Sequence, residues 1–449
     1  MTKPKGLVKE KITNDIVSMI IQGTLNKGDI LPSIRSMSSR YNVSRGTILI
    51  VYKQLESIGY IQGFERSGYV VIKNGYSPPS PPPTLQQAGS LTCDVASVPR
   101  DFTEQQLERL QQRRSCKLPP HFIKRWASDY ANFSRSISSF EAEPLQRFIT
   151  LSRGMTVEAN ALLLFSGYQE ALTLIALFLQ QRQQNVLIVE EPCSPKIRAL
   201  FTQLNFEIIS VPIDQQGLCV DELPSITDAT LLCMPTLQYP MATRLSENRK
   251  AQLYQWAARN RILIIEDDSY AMLGFGKTLS PPLFLQQERV SIIYLTQLIE
   301  LVGSSYNLAI LVLPPSLIAD FNVLNKALSS TYPPVNFYMV EAFLSSSYLM
   351  KYLTSLLEER HMKSTRAREI CQIQLSVLQL NHHDDCGFSC FLAEESDIPE
   401  ELVNTIFFPL GTFSEQDKKY YLFPHGLLTH AELEKVSTTL NTLSACSLS

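Results

Sequence analysis

Residues 31–60 read LPSIRSMSSRYNVSRGTILIVYKQLESIGY, a span that fits two short amphipathic helices joined by a turn. Ser33 follows Pro32, so a first helix can start here: a serine hydroxyl caps free backbone N–H groups, and proline tolerates a helix's first turn. Ile34, Met37 and Tyr41 then line one face. The chain turns over 41–43, and Ser44 offers a second cap. Ile48, Val51, Tyr52 and Leu55 follow at the i, i+3, i+4, i+7 spacing of one buried stripe. The opposite face carries Arg45, Thr47, Lys53 and Gln54, the donors and acceptors that meet phosphates and base edges.

Working outward, Ile12, Ile16, Met19 and Ile20 mark an earlier amphipathic helix closed by Gly23. On the other side, residues 60–72 (YIQGFERSGYVVI) place strand-forming residues before and after 64–68, the pattern of a two-stranded wing. Three helices and a hairpin make a winged helix-turn-helix, although periodicity alone leaves a generic small helical domain open. Gly28, Asp29, Leu31, Pro32, Ser33, Arg35, Val43, Ser44, Arg45, Thr47, Tyr52, Leu55, Gly59, Tyr60 and Gly68 closely resemble the head domain of GntR-type bacterial transcription regulators. The resemblance implies that the second helix of the motif enters the major groove and the wing touches the minor groove. The DNA-binding set it implies is Ser33, Arg35, Ser44, Arg45, Thr47, Lys53, Arg66 and Gly68. Arg45 can fork onto guanine O6 and N7 or grip a phosphate; the sequence leaves both open.

The chain has 449 residues, which suggests two or three domains, and its 45% hydrophobic content supports a large core. A net charge of −3 hides an asymmetry: the first 75 residues hold 11 Lys+Arg against 5 Asp+Glu, the remainder 29 against 38. A basic head on an acidic body points to a polyanion partner for the head alone. Nine scattered cysteines without a CxxC pair read as reduced thiols of a cytosolic protein. The start MTKPKGLVKEK lacks a signal-peptide core, and no run of about 18 apolar residues occurs, so a cytoplasmic location and no membrane partner are expected.

Composition then divides the chain into a head over 4–74, a linker over 75–117 and a body over 118–449; the resemblance given below for that body implies a small C-terminal subdomain from about residue 330. The linker opens YSPPSPPPT, whose prolines exclude helix and favour an extended, semi-stiff spacer. In the body, apolar strand-length runs begin at Val186, Phe206, Thr230, Ile262, Ser291 and Leu308. Helical patterns at 170–180, 195–204 and 247–260 lie between several of them. That alternation predicts a mainly parallel sheet covered by helices on both faces, with its chemistry at the carboxyl ends of the strands.

Motifs at those strand ends resemble the aminotransferase-like body of fold-type I pyridoxal-phosphate (PLP) enzymes: Arg153-Gly154, the run Ser166 to Leu172 (SGYQEAL), Val189-Glu190-Glu191-Pro192, Pro235 to Pro240 (PTLQYP), Glu266-Asp267-Asp268, Tyr294-Leu295 and Leu311 to Pro314. Head and body together resemble MocR regulators, a GntR head fused to that body. The fold class expected is therefore multidomain: a winged helix-turn-helix, then an α/β aminotransferase-like domain with a mainly parallel sheet and a smaller C-terminal α+β part.

A PLP site needs a lysine for the Schiff base, a carboxylate at the pyridinium nitrogen, donors for the phosphate and an aromatic ring over the cofactor. The resemblance assigns a degenerate version: Gly167, Tyr168 and Gln169 at the phosphate end, Gln238 nearby, Asp267 as pyridinium partner and Tyr270 facing the cofactor's oxygen. Ser194 stands where the stacking tyrosine belongs. Between the anchors Tyr294-Leu295 and Leu311-Pro314, Glu300 falls at the Schiff-base lysine and Asn307 at a phosphate-binding arginine; Tyr421 falls at the carboxylate-binding arginine. A glutamate forms no imine, and its charge opposes an anionic cofactor. Hence no catalytic residue, no covalently bound cofactor and no PLP binding are expected, and these pocket residues are expected to serve an effector instead.

Two further signals weaken on inspection. Lys277 in Gly274-Phe275-Gly276-Lys277-Thr278 mimics the end of a P-loop, but Ala271 stands at the leading glycine, so it reads as a surface loop. Lys326 lies in a helical pattern without a supporting motif. The 381–390 run NHHDDCGFSC has no tetrahedral-knuckle spacing, and no metal site is expected. The expectation is a transcription regulator of bacterial origin that binds double-stranded promoter or operator DNA as a homodimer, head-to-tail as the resemblance implies, with a body that either senses a small-molecule effector or serves only as a dimerisation scaffold. A PLP-dependent aminotransferase-like enzyme or a PLP-responsive regulator is the alternative.

Overall fold

A computed structural model describes residues 5–21, 23–57, 59–64, 68–72, 118–133, 141–271, 280–286, 290–328, 334–375, 377–383, 386–403, 405–412 and 418–446. Arg66, the Lys277 loop and the linker 75–117 lie outside these residues.

The head consists of α1 (Lys5–Ile21), α2 (Ile34–Tyr41) and α3 (Arg45–Ser57), followed by an antiparallel hairpin of β1 (Ile61–Phe64) and β2 (Gly68–Val71). Both expected caps form: Ser33 Oγ accepts from Ser36 N at 3.2 Å, and Ser44 Oγ accepts from Thr47 N at 3.1 Å. Asn42 closes α2 with φ 50°, the left-handed region that a short polar side chain tolerates. Ile12, Ile16, Ile20, Met37, Ile48, Val51, Tyr52 and Leu55 form the head's core. The wing also gains an extended segment that periodicity did not reveal. Gly28 N donates to Val71 O at 2.9 Å and Leu31 N to Tyr69 O at 2.8 Å, so residues 28–31 run beside β2.

In the body, α4 (Pro120–Phe133) and α5 (Glu143–Arg153) precede an eight-stranded sheet. Its strands are β3 (Leu162–Phe165), β4 (Val186–Glu191), β5 (Glu207–Asp214), β6 (Gly217–Leu218), β7 (Thr230–Cys233), β8 (Leu263–Asp267), β9 (Ile292–Gln297) and β10 (Ala309–Val312). The spatial order is β3-β10-β9-β8-β7-β4-β5-β6. From β5 through β4, β7 and β8 to β9 every pairing is parallel, while β10 and β3 join antiparallel. Helices α6 (Tyr168–Gln181), α7 (Pro195–Gln203), α8 (Glu247–Asn260), α9 (Ile299–Val302) and α10 (Ile318–Leu328) connect or follow the strands.

The strands read as unbroken apolar runs because both faces are covered. Alternation sends Ile188, Leu231, Ile264 and Ile292 into one hydrophobic cluster and Leu187, Val189, Leu232, Ile265 and Ile293 into the other. Beyond α11 (Val335–Leu344) and α12 (Leu349–Glu369), a smaller antiparallel sheet follows. It comprises β11 (Gln379–Asn381), β12 (Ser389–Glu394), β13 (Phe408–Thr412) and β14 (Lys418–Phe423), ordered β11-β12-β14-β13. The final helix, α13 (His430–Cys446), supplies Leu433, Val436 and Leu440 to a separate core with Phe391, Phe407 and Phe423.

Head and body meet along α5. Tyr60, fully buried, donates its hydroxyl to Leu151 O at 2.6 Å. Two residues on, Arg153 ends the helix with Nε 2.5 Å from Asp268 Oδ2, and that same oxygen accepts from the Tyr294 hydroxyl at 2.7 Å. A buried ion pair just beyond the carboxyl end of β8 thus anchors the end of α5, and the head also meets the body where α3 packs against α12.

Candidate functional site

On the head, Ser33, Arg35, Ser44, Arg45, Lys53 and Gly68 are exposed and Thr47 is half-buried. Ser44 Oγ lies 2.9 Å from Thr47 Oγ1 as well as accepting from Thr47 N, so these hydroxyls hold the start of α3 in shape. Arg45 and Lys53 project from that helix on its solvent side. Gly68 opens β2 with φ 85°, a conformation that suits glycine at the tight end of the hairpin.

The body contains a cavity of about 380 Å³ at the carboxyl ends of β4, β7 and β8 and the start of α6. Gly167, Tyr168, Gln169, Ser194, Gln238, Asp267, Tyr270 and Asn307 all line it. The Tyr168 hydroxyl reaches across to Asp267 Oδ2 at 2.6 Å, while Asp267 Oδ1 accepts from Ser269 N at 3.0 Å and Ser269 Oγ at 2.5 Å. Burial raises the Asp267 carboxyl against those hydrogen bonds, and burial followed by the Asp267 charge pushes the Tyr168 phenol well up. Asn307 Nδ2 donates to Gln297 Oε1 at 2.9 Å, and its own Oδ1 is buried with no hydrogen-bond partner among the described residues.

Twelve lining residues lay outside the set expected from the sequence, among them Glu190, Cys193, Lys196 and Tyr239. Glu190 accepts from Met234 N at 3.1 Å, and burial pushes its carboxyl up to about 8. The Cys193 thiol is pushed up to about 12, again by burial, and is a poor nucleophile at neutral pH. Tyr239 stacks on Tyr270 with ring centres 4.5 Å apart and planes 11° from parallel. Glu190 at the end of a buried strand was the one legible signal, since an ionisable residue there faces the crevice.

Two expected pocket residues are placed elsewhere. Glu300 lines not this cavity but a smaller adjoining one that shares Tyr239 and Tyr270 with it, where its Oε2 lies 2.7 Å from Arg360 Nη2 on α12, both side chains almost wholly buried. On the short helix α9 successive residues diverge by about 100°, so Ile299 meets the cavity while Glu300 turns to the nearest buried cation. Tyr421 is likewise absent from the cavity. It stacks on Phe391 at 5.5 Å in the small-domain core, and strand alternation gives its neighbours Tyr420 and Leu422 the face toward the body.

Other sequence signals carry less. Lys326 is exposed on the last turn of α10. His382 is held by hydroxyls on both ring nitrogens, Ser364 Oγ at 3.0 Å and Ser389 Oγ at 2.6 Å. Among the described residues no His, Cys, Asp and Glu group is arranged to hold a metal, and no helix is long and apolar enough to cross a membrane.

Residues 8–71 match the family of bacterial regulatory proteins of the gntR type, and residues 130–298 match aminotransferase class I and II. The chain is a GntR-type helix-turn-helix fused to a fold-type I aminotransferase-like body. It is 28% identical over 292 residues to the HTH-type pyridoxine biosynthesis transcriptional regulator PdxR of Corynebacterium glutamicum, a match covering 62% of this chain but only 59% of that one. It is 21% identical over 365 residues to the uncharacterized HTH-type transcriptional regulator YdeL of Bacillus subtilis, covering 79% and 77% of the two chains. Among solved structures, an archaeal alanine:glyoxylate aminotransferase superposes with TM-score 0.60 at 18% identity, covering 73% of this chain and 87% of that one. This GntR-aminotransferase fusion therefore has HTH-type regulators as its sequence relatives and enzymes as its fold relatives.

Proposed function

We propose that the chain is a cytoplasmic bacterial transcription regulator of MocR type. Its head binds double-stranded promoter or operator DNA, and its body is catalytically inactive and serves dimerisation and non-covalent effector sensing. The observation that carries this is the buried Glu300–Arg360 pair beside the cavity, Glu300 being the residue that the resemblance puts at the Schiff-base position. The phosphate end also fits PLP poorly: Asn307, which the resemblance puts at a phosphate-binding arginine, brings no positive charge and is engaged by Gln297.

The cavity suits a different ligand. Glu190, Asp267 and the unpartnered Asn307 Oδ1 all offer acceptors, and the Tyr239–Tyr270 pair offers aromatic faces. A neutral or cationic effector carrying N–H donors satisfies these groups, whereas a phosphate does not. The two chains of the proposed homodimer exchange heads. A linker of the length of residues 75–117 could reach at most roughly 140 Å if fully extended, enough for the Tyr60–Leu151 seam to be made against the partner's body in a head-to-tail pair. The competing reading, a PLP-dependent enzyme or PLP-responsive regulator, draws on Lys196, a lysine that lines the cavity.

Selection of sites from a random-sequence duplex pool by the full chain tests the function. An enriched sequence is expected, and Arg45→Ala should weaken its binding and reduce the salt slope by about one if Arg45 meets a phosphate. Unchanged affinity and slope in Arg45→Ala would contradict the assignment of α3 to the major groove.

A further inference from the structure

The solvent side of α3 is apolar at its centre. Leu49 and Ile50 are 37% and 41% exposed, whereas Ile48, Val51, Tyr52 and Leu55 on the same helix are 0–1% exposed and supply its contribution to the core. The exposed pair is thus not required for packing the head. Single exposed aliphatics are ordinary on protein surfaces, but here two adjacent ones occupy the middle of a helix whose outward line is cationic at both ends. Arg45, Leu49 and Lys53 follow at i, i+4 and i+8, so they share one face, with Ile50 beside it. The first 75 residues carry 11 Lys+Arg against 5 Asp+Glu, a balance that favours a polyanion over an apolar protein partner.

Duplex DNA fits both parts of this face. Its major groove admits a helix, its phosphates pair with flanking cations, and thymine alone among the bases presents a methyl group there. We propose that Leu49 and Ile50 read thymine methyl groups in the major groove, so that this head selects its site through apolar contacts between Arg45 and Lys53 rather than through arginine–guanine pairs alone. The proposal rests on the DNA-binding reading above and names what that surface recognises.

Deoxyuridine isolates the contact, because it keeps thymine's hydrogen-bonding edge and removes only the methyl. After selection from the random pool, each thymine of the enriched site is replaced in turn by deoxyuridine, and binding of the full chain is measured. Replacement under α3 is expected to weaken binding about fourfold per methyl, the effect of removing one buried carbon. Leu49→Ala and Ile50→Ala should bind the thymine site more weakly and no longer distinguish it from the uridine site. Alanine at an exposed helix position preserves the helix, which an unchanged melting transition verifies. Tolerance of uridine at every position, or discrimination retained in both alanine variants, would overturn the proposal while leaving DNA binding intact. A selection that enriches no sequence would overturn the DNA-binding reading and this inference together. A change in sedimentation of the variants without a change in base discrimination would make the patch a contact between two copies, and that too would overturn it.

Discussion

Glu300→Ala is expected to destabilise the body by roughly 3–5 kcal/mol, the usual loss when one partner of a buried ion pair is removed and its counter-charge stays behind. The Glu300 and Arg360 side chains are 9% and 7% exposed, so Arg360 stays largely buried when the carboxylate is lost. An exposed pair would lose at most about 1 kcal/mol, and the difference makes the result diagnostic. Denaturant unfolding of the full chain, read on the body's transition, supplies the number. Glu300→Lys should be worse still, because it sets two cations together, whereas Glu300→Lys with Arg360→Glu should recover much of the loss by restoring opposite charges. A loss below about 1 kcal/mol for Glu300→Ala would place the pair in solvent and remove the reason for its orientation.

Arg153→Ala should have a comparable effect for the same reason, roughly 3–5 kcal/mol, since it strands the Asp268 carboxylate. The Arg153 and Asp268 side chains are 2% and 0% exposed. A second consequence follows from position. Arg153 anchors the end of α5, the helix whose Leu151 carbonyl accepts from Tyr60, so loosening that end should also loosen the head. Hydrogen exchange in α1 and around Tyr60 is expected to accelerate in Arg153→Ala. Tyr60→Phe, which removes only one hydrogen bond, should cost about 1 kcal/mol. Head exchange unchanged in Arg153→Ala would show that the seam does not depend on this ion pair.

Much of the fold was legible because it follows from local rules. Ser33 and Ser44 announce helix starts by their cap chemistry, and the i, i+3, i+4 spacing after each gives the buried stripe. The parallel strands announce themselves as runs apolar on both faces. β3 does not: Leu162 to Phe165 is apolar on every residue and too short for periodicity to distinguish strand from helix. In the cavity, residues fixed by backbone position were legible, such as Gly167 at the start of α6 and Asp267 at the end of β8. Residues fixed by side-chain direction were not. Glu300 faces Arg360 while its neighbour Ile299 faces the cavity, because one step along a helix rotates a side chain by about 100°. Tyr421 shows the same limit in a strand, where one position exchanges the faces. Nor could spacing reveal that Tyr168, at the start of α6, reaches Asp267 at the end of β8, since that contact joins residues 99 apart in sequence.

The central claim, an aminotransferase-like body that forms no imine, is tested most directly by treating the full chain with PLP, reducing with borohydride and measuring intact mass with peptide mapping. The expected outcome is no visible imine absorbance and no stoichiometric phosphopyridoxyl adduct. A saturable adduct of one group per chain on Lys196, the lysine lining the cavity, would contradict the claim and restore PLP as this body's ligand.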